Sequence, residues 1–315
     1  MNAEKKTGFV YHPDFLKHDT GHGHPERPDR LKACIQSLQA SHFWSDLVQV
    51  KPIIATIDQI CDAHTKSYVA RVKRHSAESV PLASDTPVST DSYNAALCSA
   101  GSVLAAADAV MTGKVKNAFA LVRPPGHHAT SDRGMGFCLF NNVAVAAKFL
   151  QREHNVGKVA IVDWDVHHGN GTQDIFYSDE SVFFFSIHQF PLYPGSGLAS
   201  EIGAGKGIGA TLNAPMRAES EANDYIEVFK SLLIPALNNF APDFIIISAG
   251  FDAHRLDLLA SMNLTAEGFA DLTDIMAKIA AQCCEGRLVS ALEGGYSLEG
   301  LSESVVAHIQ RLFEN

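Results

Sequence analysis

The stretch that decides the fold is Ala160-Ile161-Val162-Asp163-Trp164-Asp165-Val166-His167-His168-Gly169-Asn170-Gly171, in which acidic and imidazole groups follow an apolar run at a two-residue spacing. The stretch predicts a β-strand that carries Asp163, Asp165 and His167. Because alternate side chains of an extended chain point to the same face, Asp163, Asp165 and His167 are expected to point one way. Two buried carboxylates without a compensating positive charge would cost several kcal/mol or more. The pattern therefore predicts a bound divalent metal ion.

Continuous apolar runs recur along the chain. Besides the first one they cover residues 118–123, 182–187, 243–249 and 288–293. Runs of this kind, rather than alternating ones, are typical of strands in a parallel sheet that is covered on both faces. Helical periodicity falls between them, at residues 30–38, 92–111, 141–153, 223–238, 266–283 and 302–313. The sequence therefore predicts an α/β fold with a mainly parallel sheet.

Polar residues follow the ends of these predicted strands. They include Pro124-Pro125-Gly126-His127-His128, His188, Gly250-Phe251-Asp252 and Gly294-Gly295-Tyr296. Because ligands of open α/β sheets bind beyond the carboxyl ends of the strands, we expect five segments to meet at one site. Loops 20–28 and 191–209 are rich in Gly, Pro and His, and loops of that sort carry function more often than stability.

The composition indicates one sizeable domain. The 315 residues are 46% hydrophobic, and no shift in composition marks a linker. A chain of this size can bury a large core, so a single domain over residues 1–315 is expected. The formal charge of -10 is spread along the chain. Without a basic stripe to hold phosphates, direct binding of DNA or RNA is disfavoured.

The cysteines show no repeated CxxC spacing; they are Cys34, Cys61, Cys98, Cys138, Cys283 and Cys284. They are expected to be reduced thiols of an intracellular protein. Residues 1–7 lack the apolar region of a secretion signal, and no stretch is expected to reach the ~18 apolar residues of a membrane span. A soluble, cytoplasmic protein is the default expectation, although export by a route without a signal would leave no trace in the sequence.

Asp165 and His167, together with Asp252 from another strand end, offer three protein ligands to one metal ion. Three ligands with a fourth position left for water are the pattern of a catalytic rather than a structural zinc site. The two carboxylates would offset the charge of the dication. Fe(II) or Co(II) would fit the same donors, so ligand identity alone does not fix the metal.

His127 and His128 follow Pro124-Pro125-Gly126, a rigid turn that aims consecutive side chains. Beside a zinc water whose pKa falls to about 7, two imidazoles can supply a general base and an electrostatic partner or acid. Each imidazole needs an acceptor that orients its other ring nitrogen, and Asp163 and Asn170 are the candidates.

Tyr296 follows two glycines at a strand end. In a metal site its phenol could donate a hydrogen bond to a substrate carbonyl, as the donors of an oxyanion hole do. Segments that contain Phe137 and Tyr193 could supply aromatic walls, although core packing is the usual fate of phenylalanine. A narrow apolar tunnel would select an extended side chain.

Taken together, these motifs resemble the histone deacetylase and acetylpolyamine amidohydrolase superfamily. The resemblance runs from His24-Pro25-Glu26-Arg27-Pro28 to Tyr296 and rests on Arg123-Pro124-Pro125-Gly126-His127-His128, Asp163-x-Asp165-x-His167-His168-Gly169-Asn170-Gly171-Thr172, Ser248-Ala249-Gly250-Phe251-Asp252 and Glu293-Gly294-Gly295-Tyr296. It is closest to the class II branch. It implies an arginase-like three-layer α/β fold, with a mainly parallel eight-stranded sheet flanked by helices. It also implies zinc-dependent hydrolysis of the acetyl amide of acetyl-lysine in proteins or peptides, with release of acetate.

The resemblance implies a role for each site residue. The catalytic set would be zinc bound by Asp165, His167 and Asp252, His128 as general base and then acid, His127 hydrogen-bonded to Asp163 as electrostatic partner, and Tyr296 on the acetyl carbonyl. The substrate set would be Phe137 and Tyr193 as tunnel walls, Gly136 accepting from the substrate amide, Asp85 on the substrate backbone, and Arg27 in an acetate-release channel. A structural potassium ion would be bound by Asp163, Asp165, His167, Ser186 and Ile187, largely through carbonyls.

Three positions bear on activity and substrate within that resemblance. Asn170 stands where class I members have Asp, so the dyad on His128 should be less charged and the base slightly weaker. Tyr296 stands where the weakly active class IIa members have His, which favours deacetylase activity. Leu259 matches a gatekeeper that is acidic in the polyamine-specific class II enzyme, and an apolar residue there would not attract a polyamine's second ammonium group.

Three hypotheses from different classes stay open. The first is a zinc-dependent deacylase of acetyl-lysine in proteins or peptides, and the second is a small-molecule amidohydrolase of acetylated polyamines. The third is a module that binds acetyl-lysine without turnover, for which an intact metal triad, histidine pair and Tyr296 leave little room. A binuclear manganese ureohydrolase would need more carboxylates around the site than these loops offer.

Overall fold

The computed structural model describes residues 7–315, and within them it has an eight-stranded sheet in which all neighbouring strands are parallel. The strands are β1 (Gly8–Val10), β2 (Val48–Gln49), β3 (Asn117–Ala120), β4 (Val159–Asp163), β5 (Val182–Gln189), β6 (Thr211–Met216), β7 (Phe244–Ala249) and β8 (Leu288–Leu292). Their order in the sheet is β2-β1-β3-β8-β7-β4-β5-β6. The predicted α/β fold with a parallel eight-stranded sheet is confirmed.

Helices flank this sheet. They are α1 (Asp29–Gln39), α2 (Ile57–Cys61), α3 (Lys66–Glu78), α4 (Ser92–Met111), α5 (Asn142–His154), α6 (Asn170–Phe176), α7 (Ala222–Val228), α8 (Ile234–Phe240), α9 (Ala266–Cys283) and α10 (Leu298–Glu314). One group, α4 and α5, packs together and against the central strands, while α1, α9 and α10 form a second packed group. Every residue of β3, β4, β5, β7 and β8 is buried, as expected for strands with both faces covered.

Helix α4 corrects one expectation from the sequence. By length and composition it is apolar enough to cross a membrane, whereas no such stretch was expected. However, 83% of its most apolar window is buried inside the protein. A β-carbon at Gly101 would lie 2.2 Å from the carbonyl oxygen of Ile53, so the helix backbone packs very closely there. These are the properties of a core helix. Residues 1–6, which bear on the expected absence of a leader, lie outside the described residues.

Several predicted boundaries shift for physical reasons. The helix expected at 223–238 is divided into α7, a wider π-helical turn and α8, and Pro235, which has no backbone N–H, stands at the start of α8. The helix expected at 302–313 begins at Leu298, because Ser297 caps it by accepting from the Gly300 N–H. The expected N-cap of α9 is confirmed, since the Thr265 hydroxyl accepts from the Gly268 N–H.

The strand predicted through Asp163, Asp165 and His167 ends earlier than expected. β4 stops at Asp163, so Asp165 and His167 lie in the loop that follows it. The loop turns because each carboxylate accepts a local backbone N–H: Asp163 from Asp165 at 3.1 Å, and Asp165 from His167 at 2.9 Å. The prediction that Asp165 and His167 lie on the strand was therefore wrong. Their side chains and that of Asp163 still point toward one site.

Candidate metal centre and active site

The site lies at the carboxyl ends of the central strands. In the sheet register Asp163 of β4 stands opposite Ser186 of β5 and Ser248 of β7. The loops after β3, β4, β7 and β8 carry His127, Asp165, Asp252 and Tyr296 respectively, and these loops meet above the strand ends. Four of the five segments that were expected to converge do so. The fifth residue, His188, lies within β5, where its ring is hydrogen-bonded to Ser186 and Gly197.

Asp165, His167 and Asp252 form a buried group of three potential metal ligands. Nδ1 of His167 lies 3.2 Å from Oδ1 of Asp165 and 3.1 Å from Oδ2 of Asp252. Two donor atoms on a tetrahedral zinc ion with bonds of ~2.1 Å are ~3.4 Å apart. The spacing of the donors therefore fits a metal ion of that size between them.

Backbone amides fix the orientation of both carboxylates. The Gly294 N–H donates to Oδ2 of Asp165 and the Val166 N–H donates to Oδ1 of Asp252, each at 2.8 Å. These bonds leave one oxygen of each carboxylate facing His167. A β-carbon at Gly294 would lie 2.2 Å from Oδ2 of Asp252, so glycine is required where this loop approaches the carboxylates. Gly294, the first of the two glycines before Tyr296, thus leaves room for the carboxylates of the potential metal ligands.

The electrostatics of the three ligands indicate excess negative charge. Burial, followed by the charge of Asp165, raises the pKa of Asp252 to about 7. Burial disfavours the imidazolium of His167, but hydrogen bonds to Asp165 and Asp252 outweigh it and raise its pKa to about 10. Such shifts arise where neighbouring carboxylates lack a counter-ion. A divalent cation among these donors would offset that charge.

His127 and His128 have different partners, and their ring centroids lie 4.0 Å apart. Nδ1 of His127 lies 2.9 Å from Oδ2 of Asp163, and Nδ1 of His128 lies 2.7 Å from Oδ1 of Asn170. Both expected orienting partners are in place. Since a carboxylate and an amide oxygen only accept, each histidine carries a proton on Nδ1. Nε2 of His128 is then free to accept another proton.

The two histidines also differ in charge. Burial opposes the charged form of His127, but Asp165 and Asp163 outweigh it and raise its pKa well above the usual value. Burial, followed by repulsion from His127 and His167, lowers the pKa of His128 well below the usual value. At neutral pH His127 is therefore the charged member of the pair and His128 the neutral one.

Tyr296 lies in the loop between β8 and α10. Its ring is edge-on to Phe137 with centroids 5.8 Å apart, and the guanidinium carbon of Arg30 lies 5.0 Å from its centroid. Burial, followed by the negative charges of Asp252 and Asp165, raises the pKa of Tyr296 well above the usual value. The phenol stays protonated and is a hydrogen-bond donor at neutral pH.

A cavity of about 260 Å³ leads to this chemistry. It brings together all the residues predicted for the tunnel and its rim. Its lining consists of Asp85, His128, Gly136, Phe137, His167, Leu192, Tyr193, Leu259 and Tyr296. Phe137 has a positive φ of 68°, which is rare for a large side chain, and follows Gly136, also with positive φ. A β-carbon at Gly136 would lie 2.3 Å from Cδ2 of His128, so glycine is needed for this close approach.

Arg27 is not in a buried channel, and this prediction was wrong. Its side chain is 44% exposed, and it lies 4.0 Å from Asp29. The buried arginine behind the site is Arg30, which donates to the carbonyl oxygens of Glu293 and Gly295 at 2.5 and 2.6 Å. Arg27 precedes α1 and faces solvent, whereas Arg30 lies on the buried face of that helix. One turn of helix separates the two environments.

Of the residues predicted for a potassium ion, Asp163 ends β4, Ser186 and Ile187 lie on β5, and Asp165 and His167 lie in the loop after β4. Asp163 pairs with Ser186 in the register, and Ile187 follows on β5. The Ser186 hydroxyl is hydrogen-bonded to Nδ1 of His188 at 2.9 Å. Potassium at this place stays a prediction.

Buried charged residues behind the site were not assigned a role from the sequence. Glu26 accepts from Arg30 at 3.0 Å and from Arg123 at 2.7 Å, and all three side chains are fully buried. Glu293 accepts the backbone N–H of Gly126 at 2.6 Å and thereby fixes the turn before His127. Glu26, Arg123 and Glu293 stand inside the motifs quoted above, so charge within a buried segment was the available signal.

Comparison with known proteins agrees with the fold. The family model of the histone deacetylase domain matches residues 24–312. A probable deacetylase of Archaeoglobus fulgidus is 41% identical over 296 residues, which cover 93% of this chain and 82% of that protein. A histone deacetylase-like amidohydrolase of Pseudomonas aeruginosa is 39% identical over 279 residues, which cover 87% of this chain and 73% of that protein.

The solved structures include a crystal structure of the HDA15 HD domain that matches with a TM-score of 0.94 and 40% identity, over 99% of this chain and 89% of that one. The chain therefore belongs to the histone deacetylase family. Its activity is that of a hydrolase of the family's amidohydrolase type.

Proposed function

We propose that this protein is a zinc-dependent lysine deacetylase, which hydrolyses the acetyl amide of acetyl-lysine in proteins or peptides and releases acetate. The observation that carries the proposal is that one cavity is lined by His128 and Tyr296 together with His167, one of the three clustered potential metal ligands. Its side walls are apolar or aromatic, which suits the methylene chain of an extended lysine side chain.

The donor set supports zinc, because two carboxylates and one imidazole with a further position left open are typical of catalytic zinc sites. When bound by Asp165, His167 and Asp252, zinc would polarise the acetyl carbonyl and lower the pKa of a water molecule. Fe(II) or Co(II) would suit the same donors.

His128 supports general base and acid catalysis. Its pKa is low, so the ring is neutral and can accept a proton at Nε2 from the attacking water. Asn170 holds the other ring nitrogen and so fixes the tautomer. When the carbon–nitrogen bond breaks, His128 returns the proton to the departing lysine amine. One water and one amide then give acetate and a free lysine.

His127 and Tyr296 act on charge that develops during the reaction. His127 stays protonated against Asp163 and adds positive charge beside the base, which keeps the pKa of His128 low. Tyr296 donates its hydroxyl proton in a hydrogen bond to the carbonyl oxygen as that oxygen becomes negative. Arg30 beneath the Tyr296 ring favours loss of that proton, but burial and the surrounding carboxylates outweigh it and favour retention of the proton.

The rim of the tunnel supports a peptide substrate over a free polyamine. Asp85 is a carboxylate that can accept a backbone N–H, and Leu259 offers no charge to a second ammonium group. Acetylated polyamines stay the second candidate, because the negative net charge would tolerate a cationic substrate. The class II assignment, which rests on the motifs, and a cytoplasmic location, which rests on the free cysteines, belong to the same proposal.

Metal analysis combined with acetate release tests the proposal. We expect the zinc-loaded protein to release acetate from an acetyl-lysine peptide, and chelation followed by zinc addition to abolish and restore this activity. Asp165→Ala and Asp252→Ala should lose both zinc and hydrolysis, while Asp58→Asn, an exposed acid on α2, should keep both. Full zinc occupancy in both alanine variants would contradict the ligand assignment.

A further inference from the structure

Asp257 is a buried carboxylate beside the site that no sequence motif singled out. It lies in the loop after β7, five positions beyond Asp252. Its Oδ2 accepts the backbone N–H groups of Tyr296 at 2.6 Å and Ser297 at 3.1 Å. Its Oδ1 accepts the backbone N–H of Leu259 at 3.0 Å. One carboxylate therefore binds the loop that carries the phenol and the loop that carries the tunnel wall.

The loop of Tyr296 needs such an anchor. Gly295 precedes the tyrosine with a φ of 119°, a conformation that only glycine adopts readily, so the segment has little stiffness of its own. Arg30 holds the carbonyl oxygens of Glu293 and Gly295 on one side of the tyrosine. Asp257 holds the amide of Tyr296, which shares a peptide group with the Gly295 carbonyl, and the amide of Ser297 on the other side. The peptide groups on both sides of the tyrosine are thus held by charged side chains.

We propose that Asp257 is a positioning residue for the Tyr296 hydroxyl, and that its bond to Leu259 joins that hydroxyl to the wall of the tunnel. The inference rests on the proposed function, because it assigns the tyrosine a role in turnover. Catalytic groups must be held within ~0.5 Å of their productive positions. Hydrogen bonds to a charged acceptor are the short and strong ones, which suits a group that must hold three amides.

The proposal makes a specific kinetic statement. Asp257 does not line the cavity, so its loss should lower kcat more than it changes KM. Asp257→Asn keeps the size of the side chain, but its amide nitrogen cannot accept an N–H. The variant therefore loses its hydrogen bonds either to the loop of Tyr296 and Ser297 or to the loop of Leu259. A misplacement of about 1 Å can cost roughly a hundredfold in rate, and we expect kcat to fall about tenfold to a hundredfold.

A double-mutant cycle with Tyr296→Phe tests this mechanism. If Asp257 acts through the hydroxyl, Asp257→Asn should cost less than about threefold in kcat once that hydroxyl is gone. Equal losses in the two backgrounds would overturn the proposal, because they would show that Asp257 acts elsewhere. The cycle is run on the acetylated substrate that the unmodified enzyme turns over fastest. Failure of the proposed peptide substrate is then visible in the unmodified enzyme, and failure of the positioning role only in the cycle.

Zinc content and thermal unfolding are measured for every variant. Asp257→Ser, which is smaller and keeps a hydroxyl oxygen as acceptor, is the second variant in case Asp257→Asn does not fold. Retained zinc with reduced kcat in either variant supports the proposal. Loss of zinc in both would overturn it, because Asp257 would then serve the metal ligands. Asp58→Asn is the control for removal of one acidic charge.

Discussion

The hydroxyl of Tyr193 donates a hydrogen bond to Oδ2 of Asp85 at 2.9 Å, and the same oxygen accepts the backbone N–H of Gly136 at 3.1 Å. The other oxygen of Asp85 accepts from the Thr86 hydroxyl at 2.8 Å. Gly136 precedes the wall residue Phe137, and Tyr193 is itself a wall residue. The rim carboxylate therefore ties the two walls together, and a carboxylate with about four acceptor positions still has one left for a substrate amide.

This double role separates two variants at the rim. Asp85→Ala removes both the tie and the acceptor, so kcat/KM for an acetyl-lysine peptide should fall about tenfold to a hundredfold, as about 1.5–3 kcal/mol for a charged hydrogen bond requires. Tyr193→Phe removes only the hydrogen bond between Tyr193 and Asp85. It should lower kcat/KM for the peptide and for N-acetylputrescine by a similar small factor. If Asp85→Ala lowers kcat/KM equally for the peptide and for N-acetylputrescine, Asp85 does not bind the peptide backbone.

Tyr296→Phe should lower kcat by about 10²–10³ with KM largely kept, because one preorganised donor to the developing negative charge is lost. The ring packing against Phe137 and Arg30 is retained in phenylalanine. Steady-state kinetics with zinc analysis of the same preparation is the measurement. Near-normal turnover in the variant would refute the role.

Asn170→Asp should move the acid limb of the pH profile. His128 must be neutral to accept a proton, so kcat/KM rises as pH increases through its pKa. A carboxylate in place of the amide favours the imidazolium and raises that pKa, by about 1–3 units for a close opposite charge. The acid limb should therefore shift to higher pH. An unchanged limb, or one at lower pH, would show that another group controls it.

Glu26→Gln should destabilise the fold in a pH-dependent way. Burial alone would raise the pKa of Glu26, but Arg123 and Arg30 outweigh it and lower the pKa to about 2 from 4.5. The charged form is thus stabilised in the folded state, by about 3 kcal/mol. This contribution is present above pH ~4.5 and is lost as pH falls toward ~2.

Denaturant unfolding of the two proteins checks this. The difference in the free energy of unfolding between wild type and Glu26→Gln should be full at pH 7 and should shrink between pH 5 and pH 3. A difference that stays constant over that range would mean that the ion pairs are not its source.

Five strands were predictable because β3, β4, β5, β7 and β8 are buried on both faces and therefore have continuous apolar sequences. The strands β1, β2 and β6 were not, because β1 and β2 have only three and two residues and β6 is partly exposed at the sheet edge. Eight strands were expected only from the family resemblance. Periodicity identifies elements through burial, so short or half-exposed strands leave little signal.

Sequence-based prediction has a similar limit for the residues of the site. Asp165, His167 and Asp252 were predictable as candidate metal ligands because acidic and imidazole side chains at the ends of apolar strands are conspicuous in the sequence. Asp257 was not, because it acts on backbone N–H groups of Tyr296 and Leu259, and backbone groups are the same at every position. Arg27 was assigned to the channel from the family resemblance, and Arg30 was given no role although the helix was expected to begin there. A shift of three residues along a helix start decides which arginine is buried.

The most direct test of the central claim compares kcat/KM for an acetyl-lysine peptide with that for N-acetylputrescine and acetylspermidine, on the zinc-loaded enzyme. Asp85 can accept a backbone N–H, whereas Leu259 cannot bind a second ammonium group, so the peptide should be preferred by roughly tenfold to a hundredfold. Leu259→Glu should shift the preference toward the polyamines. If the unmodified enzyme already prefers an acetylated polyamine, the peptide deacetylase proposal is wrong and the small-molecule amidohydrolase takes its place.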